Sequence, residues 1–271
     1  MTARRTPFTL LVGLVVGLVS GMFGIGGGAF ITLGLLALGF SQHAAHATSL
    51  AAIILIAAAA AVPYALDGSV AGGASLLLAA AAMLGAYLGA GLMSRFSGRR
   101  LRLIFIVFLL ATAVTMLFGL DPTELDTDSA FPALTPVIAL LIAALGLLAG
   151  ALSSVLGIGG GLVMIPGMVL LFGFSQHAAE GTSLAVVVPT AIVGALRHSR
   201  TGYTDWKAGL LVGLGGILGG VGGANVALAL EEALLRRLFG GFLVVMALQL
   251  WRAGRAERKR PADEVAAAAE R

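Results

Sequence analysis

The sequence predicts an all-α polytopic membrane protein of two homologous halves, each with about four hydrophobic segments, the first and fifth broken by glycine. Three observations predict this. Of 271 residues, 59% are hydrophobic and 11% charged, against roughly 25% charged in soluble domains, and the mean hydropathy is +1.01. The apolar residues gather into eight stretches, most of them about the 20 residues that cross ~30 Å of hydrocarbon. Finally, the cluster Gly24-Ile25-Gly26-Gly27-Gly28, embedded in an apolar run, recurs as Gly157-Ile158-Gly159-Gly160-Gly161.

The stretches are 8–40, 44–66, 71–93, 101–120, 137–174, 178–196, 208–230 and 238–251. The first and fifth are too long for one straight crossing, and both carry the glycine cluster. The N-terminus imitates a secretory signal, with Arg4 and Arg5 before an apolar stretch. Its counterpart at 139–157 lies in mid-chain, so the segment is read as retained. The halves match beyond glycine. Gly39-Phe40-Ser41-Gln42-His43-Ala44-Ala45 matches Gly173-Phe174-Ser175-Gln176-His177-Ala178-Ala179, and Thr48-Ser49-Leu50-Ala51 matches Thr182-Ser183-Leu184-Ala185. Further on, Leu84-Gly85 and Gly89-Ala90 match Leu218-Gly219 and Gly223-Ala224. A period of about 134 residues is an internal repeat. The expected organisation is a first membrane repeat at 1–120, a linker at 121–136 with four acidic residues, three prolines and no basic residue, a second repeat at 137–251 and a basic tail at 252–271.

The net charge of +4 and pI near 10.1 come from short basic clusters between apolar segments, so they determine topology, and no nucleic-acid partner is expected. The clusters are Arg4 and Arg5 and residues 95–102, 197–207 and 252–260. Eight single crossings would put 95–102 opposite the N-terminus. Helical hairpins in the first and fifth stretches bring all four clusters to the cytoplasmic side, with the acidic linker outside. Hairpins make the repeats inverted and single crossings make them parallel; the charges prefer hairpins, although 137–156 is long enough to cross alone. The tail is expected to be cytoplasmic, weakly ordered and close to anionic lipid headgroups. With no cysteine, disulfides and thiolate chemistry are excluded. His43, His46, His177 and His198 lack helical metal-ligand spacing, so neither a metal nor a cofactor is expected.

The duplicated pattern of a glycine cluster, a Thr-Ser-Leu about 20 residues later and a Gly-x3-Gly helix resembles the TauE/SafE sulfite exporter family, also called the 4-toluene sulfonate uptake permeases. The resemblance covers roughly residues 8–251. It implies an inner-membrane permease for sulfite, organosulfonates or other small organic anions, directed outward in the sense of export, with proton-motive coupling. Uptake on the same fold stays open. No family substrate ligand carries over, so site residues follow from chemistry.

Glycine costs a helix about 1 kcal/mol relative to alanine and uncovers the backbone. Irregular backbone survives at membrane depth only when buried in protein or lining a wet cavity. Where a broken helix restarts, free N–H groups and the positive end of the macrodipole favour an anion. The expected substrate-binding residues are therefore Gly24, Gly26, Gly27 and Gly28 with Gly157, Gly159, Gly160 and Gly161. The alternative is that these glycines serve tight helix packing. Thr48, Ser49, Thr182 and Ser183 join the site through their hydroxyls, with back-bonding to helix carbonyls as the plainer use. Ser41 and Ser175 fit N-caps. His46 and its counterpart Glu180 are a titratable pair suited to proton coupling, or a dipole complement at a helix start. Pro189 lacks the bond to Ala185 and offers a hinge. Gly85-x3-Gly89 and the ladder Gly215, Gly219 and Gly223 predict close contact between halves or between protomers of a homodimer. Asn225 needs a hydrogen-bond partner.

Gly24-x-Gly26-x-x-Ala29 fits a relaxed dinucleotide fingerprint but lacks a preceding strand and a following acid. No Gly-x-Ser-x-Gly or paired intramembrane aspartate supports an intramembrane hydrolase, so an enzyme is not expected. A scaffold would not need two backbone breaks. An anion channel is the nearest rival, separated from a carrier by saturation and exchange.

Overall fold

A computed structural model describes residues 6–92, 98–119, 135–156, 160–199 and 202–269. These form α1 (Thr6–Phe23), α2 (Gly28–Ala37), α3 (Gln42–Leu66), α4 (Gly72–Leu92), α5 (Gly98–Phe118), α6 (Pro136–Leu156), α7 (Gly161–Phe172), α8 (Gln176–Ser199), α9 (Trp206–Ala229) and α10 (Glu232–Ala269). No strand occurs among the described residues. The overlong first and fifth stretches are split into α1 with α2 and α6 with α7, so each half holds five helices. Five helices are long and apolar enough to cross a membrane by length and composition. Large apolar side chains such as Leu76, Leu218 and Ile104 are exposed, a surface suited to lipid. The protein is an all-α, multi-pass membrane protein.

The caps follow the sequence. Ser41 Oγ accepts from Ala44 N at 3.3 Å and Ser175 Oγ from Ala178 N at 3.1 Å, starting α3 and α8 as expected. Asp205 starts α9 by accepting from Ala208 N at 3.0 Å. α2 and α7 both end at a left-handed glycine, Gly39 and Gly173, the residue that closes a helix without a Cβ clash.

Two compact units result, and they cut across the sequence halves. One holds α1–α4, α6–α9 and the first turn of α10. Within it α1 and α9 run parallel, so close that a Cβ on Gly13 would stand 2.1 Å from Val212 O, and one on Gly17 2.3 Å from Gly216 O. The glycines of α9 answer, Gly215 against Leu10 O, Gly219 against Leu14 O and Gly223 against Leu18 O, at 2.2, 2.0 and 2.1 Å. The equivalent pair α6 and α4 repeats the contact: a Cβ on Gly150 would collide with Ala82 O and one on Gly85 with Leu147 O. Small residues let backbones meet without a driving force from water. The ladders are thus used between halves, within the chain. Asn225 donates Nδ2 to Val221 O at 2.8 Å on its own helix.

The equivalent helices α3 and α8 run antiparallel, with Tyr64 beside Gly181 and Leu50 beside Gly194. This is the inverted arrangement. α2 folds back along α1, Gly27 lying against Val16 and Ser20 and Gly34 against Val12; α7 does the same on α6, Gly160 near Ala149 and Gly167 on Leu145. Ten residues in α2 and twelve in α7 reach about 15 and 18 Å at 1.5 Å per residue, short of a crossing. Both stretches are hairpins.

The other unit pairs α5 with the rest of α10, antiparallel, Gly240 against Leu117 and Gly254 against Arg102. The tail expected to be weakly ordered is helical to Ala269, because Ala, Arg, Glu and Lys are good helix formers. Arg255 lies over the Trp251 ring at 3.8 Å, pairing a cation with an aromatic of the kind found at membrane interfaces. Most of linker 121–136 and residues Arg4, Arg5 and 95–97 lie outside the described residues.

Candidate functional site: the glycine breaks

Gly24, Gly26 and Gly27 have φ of +64°, +74° and +72°, so the chain between α1 and α2 takes a path that L side chains resist. The first backbone bonds of α2 run from Phe30 N and Ile31 N to Gly27 O, at 3.1 and 3.0 Å. The amide hydrogens of the cap Gly27, Gly28 and Ala29 are left unengaged by the helix they open. Gly26 packs on Val187 and Ile53, and Gly28 on Ile53. Ile53 and Val187 lie near the midpoints of α3 and α8, so this break sits at mid-depth.

The second break meets the first. A Cβ on Gly161 would stand 2.8 Å from Ile25 Cα, 3.0 Å from Gly24 O and 3.0 Å from Ser183 Oγ. Ser183 Oγ donates to Gly24 O at 2.8 Å. Gly160 precedes α7 with ordinary helical φ. Gly157 and Gly159 lie outside the described residues.

The threonines act across halves. Thr48 Oγ1 accepts from Asp205 N, just before α9, and Thr182 Oγ1 accepts from Ala71 N, just before α4, both at 3.0 Å. Each half therefore holds a helix start of the other. Ser49 Oγ donates to His46 O at 2.8 Å, and Thr32 Oγ1, donating to Gly28 O at 2.8 Å, lies 3.3 Å from Ser49 Oγ.

His46 and Glu180 are not brought together. Glu180 is fully buried, with Tyr64 Oη 2.9 Å from Oε2 and Gln176 Nε2 donating to Oε1 at 2.9 Å. About 27 Å of α3 separates His46 from Tyr64, because inversion sends equivalent positions to opposite ends of the fold. His46 instead packs edge-on to His198, with centroids 5.7 Å apart, and His43 lies 5.7 Å from Tyr203. Arg197 covers Tyr87 at 5.2 Å. One end of the unit is thus rich in His and Arg, and the other holds Glu180, Glu232 and Asp67. α8 runs unbroken through Pro189, where Thr190 Oγ1 reaches Val186 O and Val187 O at 3.0 and 2.9 Å. His177 Nε2 meets Ala227 O at 3.0 Å, near the end of α9.

Sequence reasoning missed Ser20 and Tyr64. Ser20 Oγ is buried with no hydrogen-bond partner among the described residues, 3.5 Å from where a Cβ on Gly27 would sit. A serine four residues before the first glycine of the break was the available signal. Tyr64 is fully buried, and a tyrosine inside an apolar span needs a partner for its hydroxyl.

The family described as sulfite exporter TauE/SafE matches residues 1–116 and 142–269. A probable membrane transporter protein of Xylella fastidiosa (strain 9a5c) is 29% identical over 257 residues, 93% of this chain and 97% of the relative. The probable membrane transporter proteins YunE and YdhB of Bacillus subtilis (strain 168) are 25% and 26% identical, over 90% and 84% of this chain and 97% and 92% of theirs. No solved structure matches.

Proposed function

Because the chain belongs to the sulfite exporter TauE/SafE family and is a membrane transporter, we propose that it moves a small oxyanion, sulfite or an organosulfonate, outward across the inner membrane by alternating access. One observation carries this reading. At mid-depth three amide hydrogens, Gly27 to Ala29, open α2 beside a buried Ser20 hydroxyl that has no partner among the described residues. A helix start offers N–H groups and a positive dipole end to an anion, and the three oxygens of sulfite or a sulfonate accept several such bonds. No buried lysine or arginine is needed. The second break, with Gly160 and Gly161, abuts the first and completes the wall, and Ser49 and Ser183 flank it.

The orientation follows from charge. The end bearing Arg197, Lys207 and the start of α1 is cytoplasmic, and the basic cluster at 252–260 by itself assigns the tail to the same compartment. The Thr48 and Thr182 braces, at opposite ends, are the contacts that change as one half rocks against the other, with Pro189 as the hinge. Glu180 and His46, one near each end, are the candidates for proton exchange.

Thermal stability of the purified protein, scanned with sulfite, methanesulfonate, sulfate and acetate, tests the reading. Sulfite or the sulfonate should raise Tm in a saturable way, as a ligand of the folded state does, and Ser20→Ala should weaken the effect. No shift with any of these anions would remove the oxyanion reading.

A further inference from the structure

The pocket around Glu180 is short of hydrogens. Tyr64 Oη stands 2.9 Å from Glu180 Oε2 and 3.0 Å from Gly21 O. A phenol carries one hydrogen, and a carbonyl and a carboxylate are both acceptors. If Glu180 were ionised, one of them would face the phenolic oxygen with no hydrogen between. Gln176 does not relieve this. It gives Nε2 to Glu180 Oε1, and its own Oε1 is buried with no partner.

Charge gives the same answer. Of the elements around Glu180, α3 brings Tyr64, and the first turn of α10 brings Glu232, which accepts from Gln176 N at 2.7 Å. The turn after α3 brings Asp67, bonded to Ser69. α8 itself adds His177, held on Ala227 O. α1 and α7 bring no titratable side chain among the described residues. Among the described residues of this unit no lysine or arginine side chain is bonded to the carboxyl, so an ionised form would be a buried charge without compensation.

We propose that Glu180 is a neutral acid in this conformation, donating from Oε2 to Tyr64 Oη while Tyr64 donates to Gly21 O, and that this proton is the one coupled to transport. The proposal rests on the oxyanion-carrier reading above and supplies its coupling ion. Gly21 lies in the last turn of α1, where the helix can no longer bond its own carbonyls. The chain Glu180–Tyr64–Gly21 therefore ties α8 and α3 to the edge of the glycine break. On release the Glu180 O–H bond breaks, one proton passes to water, and Tyr64 turns its hydrogen from Gly21 O to the carboxylate. Gly21 loses its partner, and the end of α1 is freed. Tyr64 is a positioning residue, linking the proton to the break.

Infrared spectroscopy at neutral pH tests the acid. The wild type should show the C=O stretch of a protonated carboxyl, sensitive to H2O/D2O exchange, while exposed carboxyls are ionised. The band should vanish in Glu180→Gln and shift in Tyr64→Phe. A wild-type spectrum with carboxylate bands alone overturns the proposal, whether or not the variants fold. Proteoliposomes with sulfite as the probe test the coupling. A pH gradient should concentrate sulfite in the wild type, and Glu180→Gln should lose at least tenfold of that accumulation. Tyr64→Phe should lower gradient-driven flux more than exchange at equal pH. Wild-type accumulation in folded Glu180→Gln overturns the coupling. An acid band in a protein that moves no sulfite under any gradient removes the carrier reading and the coupling together, and leaves the neutral acid standing.

Discussion

Ser183 Oγ donates to Gly24 O at 2.8 Å across 159 residues of chain, binding the second half's Thr-Ser pair to the first half's glycine break. The bond fixes a carbonyl that belongs to no helix and lies against Gly161. It is how two distant glycine clusters come to share one site.

Ser183→Ala should lower stability by about 1–3 kcal/mol, the cost of leaving a buried carbonyl without its donor. Thermal unfolding in detergent reads this directly. A change within error would mean that Gly24 O finds another partner.

Thr48→Val and Thr182→Val should each cost about 1 kcal/mol, as lost helix caps do. Because they brace opposite ends of the fold, the double variant should equal the sum within about 0.5 kcal/mol. Strong coupling between them would contradict independent braces.

At Gly17 and Gly150 a side chain would meet backbone, 2.3 Å from Gly216 O and 2.0 Å from Ala82 O. Gly17→Val and Gly150→Val should therefore lose about 3 kcal/mol or more, the upper end of overpacking, and yield little folded protein by size-exclusion profile. Gly222→Val, with nothing within 4 Å, should fold normally.

Ser20→Ala separates binding from folding. Its oxygen has no partner to lose, so Tm without sulfite should stay put, while sulfite affinity falls about tenfold, the equivalent of ~1.4 kcal/mol. A drop in stability with unchanged affinity would make Ser20 structural.

Gly26→Ala places a Cβ in a left-handed conformation, a strain of about 1–2 kcal/mol, against a side chain that can yield, Val187 Cγ1 at 2.7 Å. The protein should insert and fold, with sulfite flux down at least tenfold. Flux near wild type would assign this glycine to packing alone.

The class, the duplication and the starts of α3 and α8 were legible in the residues alone, since these follow from local quantities: runs of apolar residues, serines that cap, glycines that break. The sequence also marked the glycine clusters and the Thr-Ser pairs, because duplication is visible without coordinates. What those residues face came from packing. Inversion carried His46 and Glu180 to opposite ends although they align in sequence, and sent each Thr to a helix start of the other half. It also gave Tyr64, silent in an alanine run, the central place between Glu180 and Gly21. Partners separated by more than a hundred residues are chosen by the direction in which helices pack, and a hydropathy pattern that reads the same in both directions does not encode that choice.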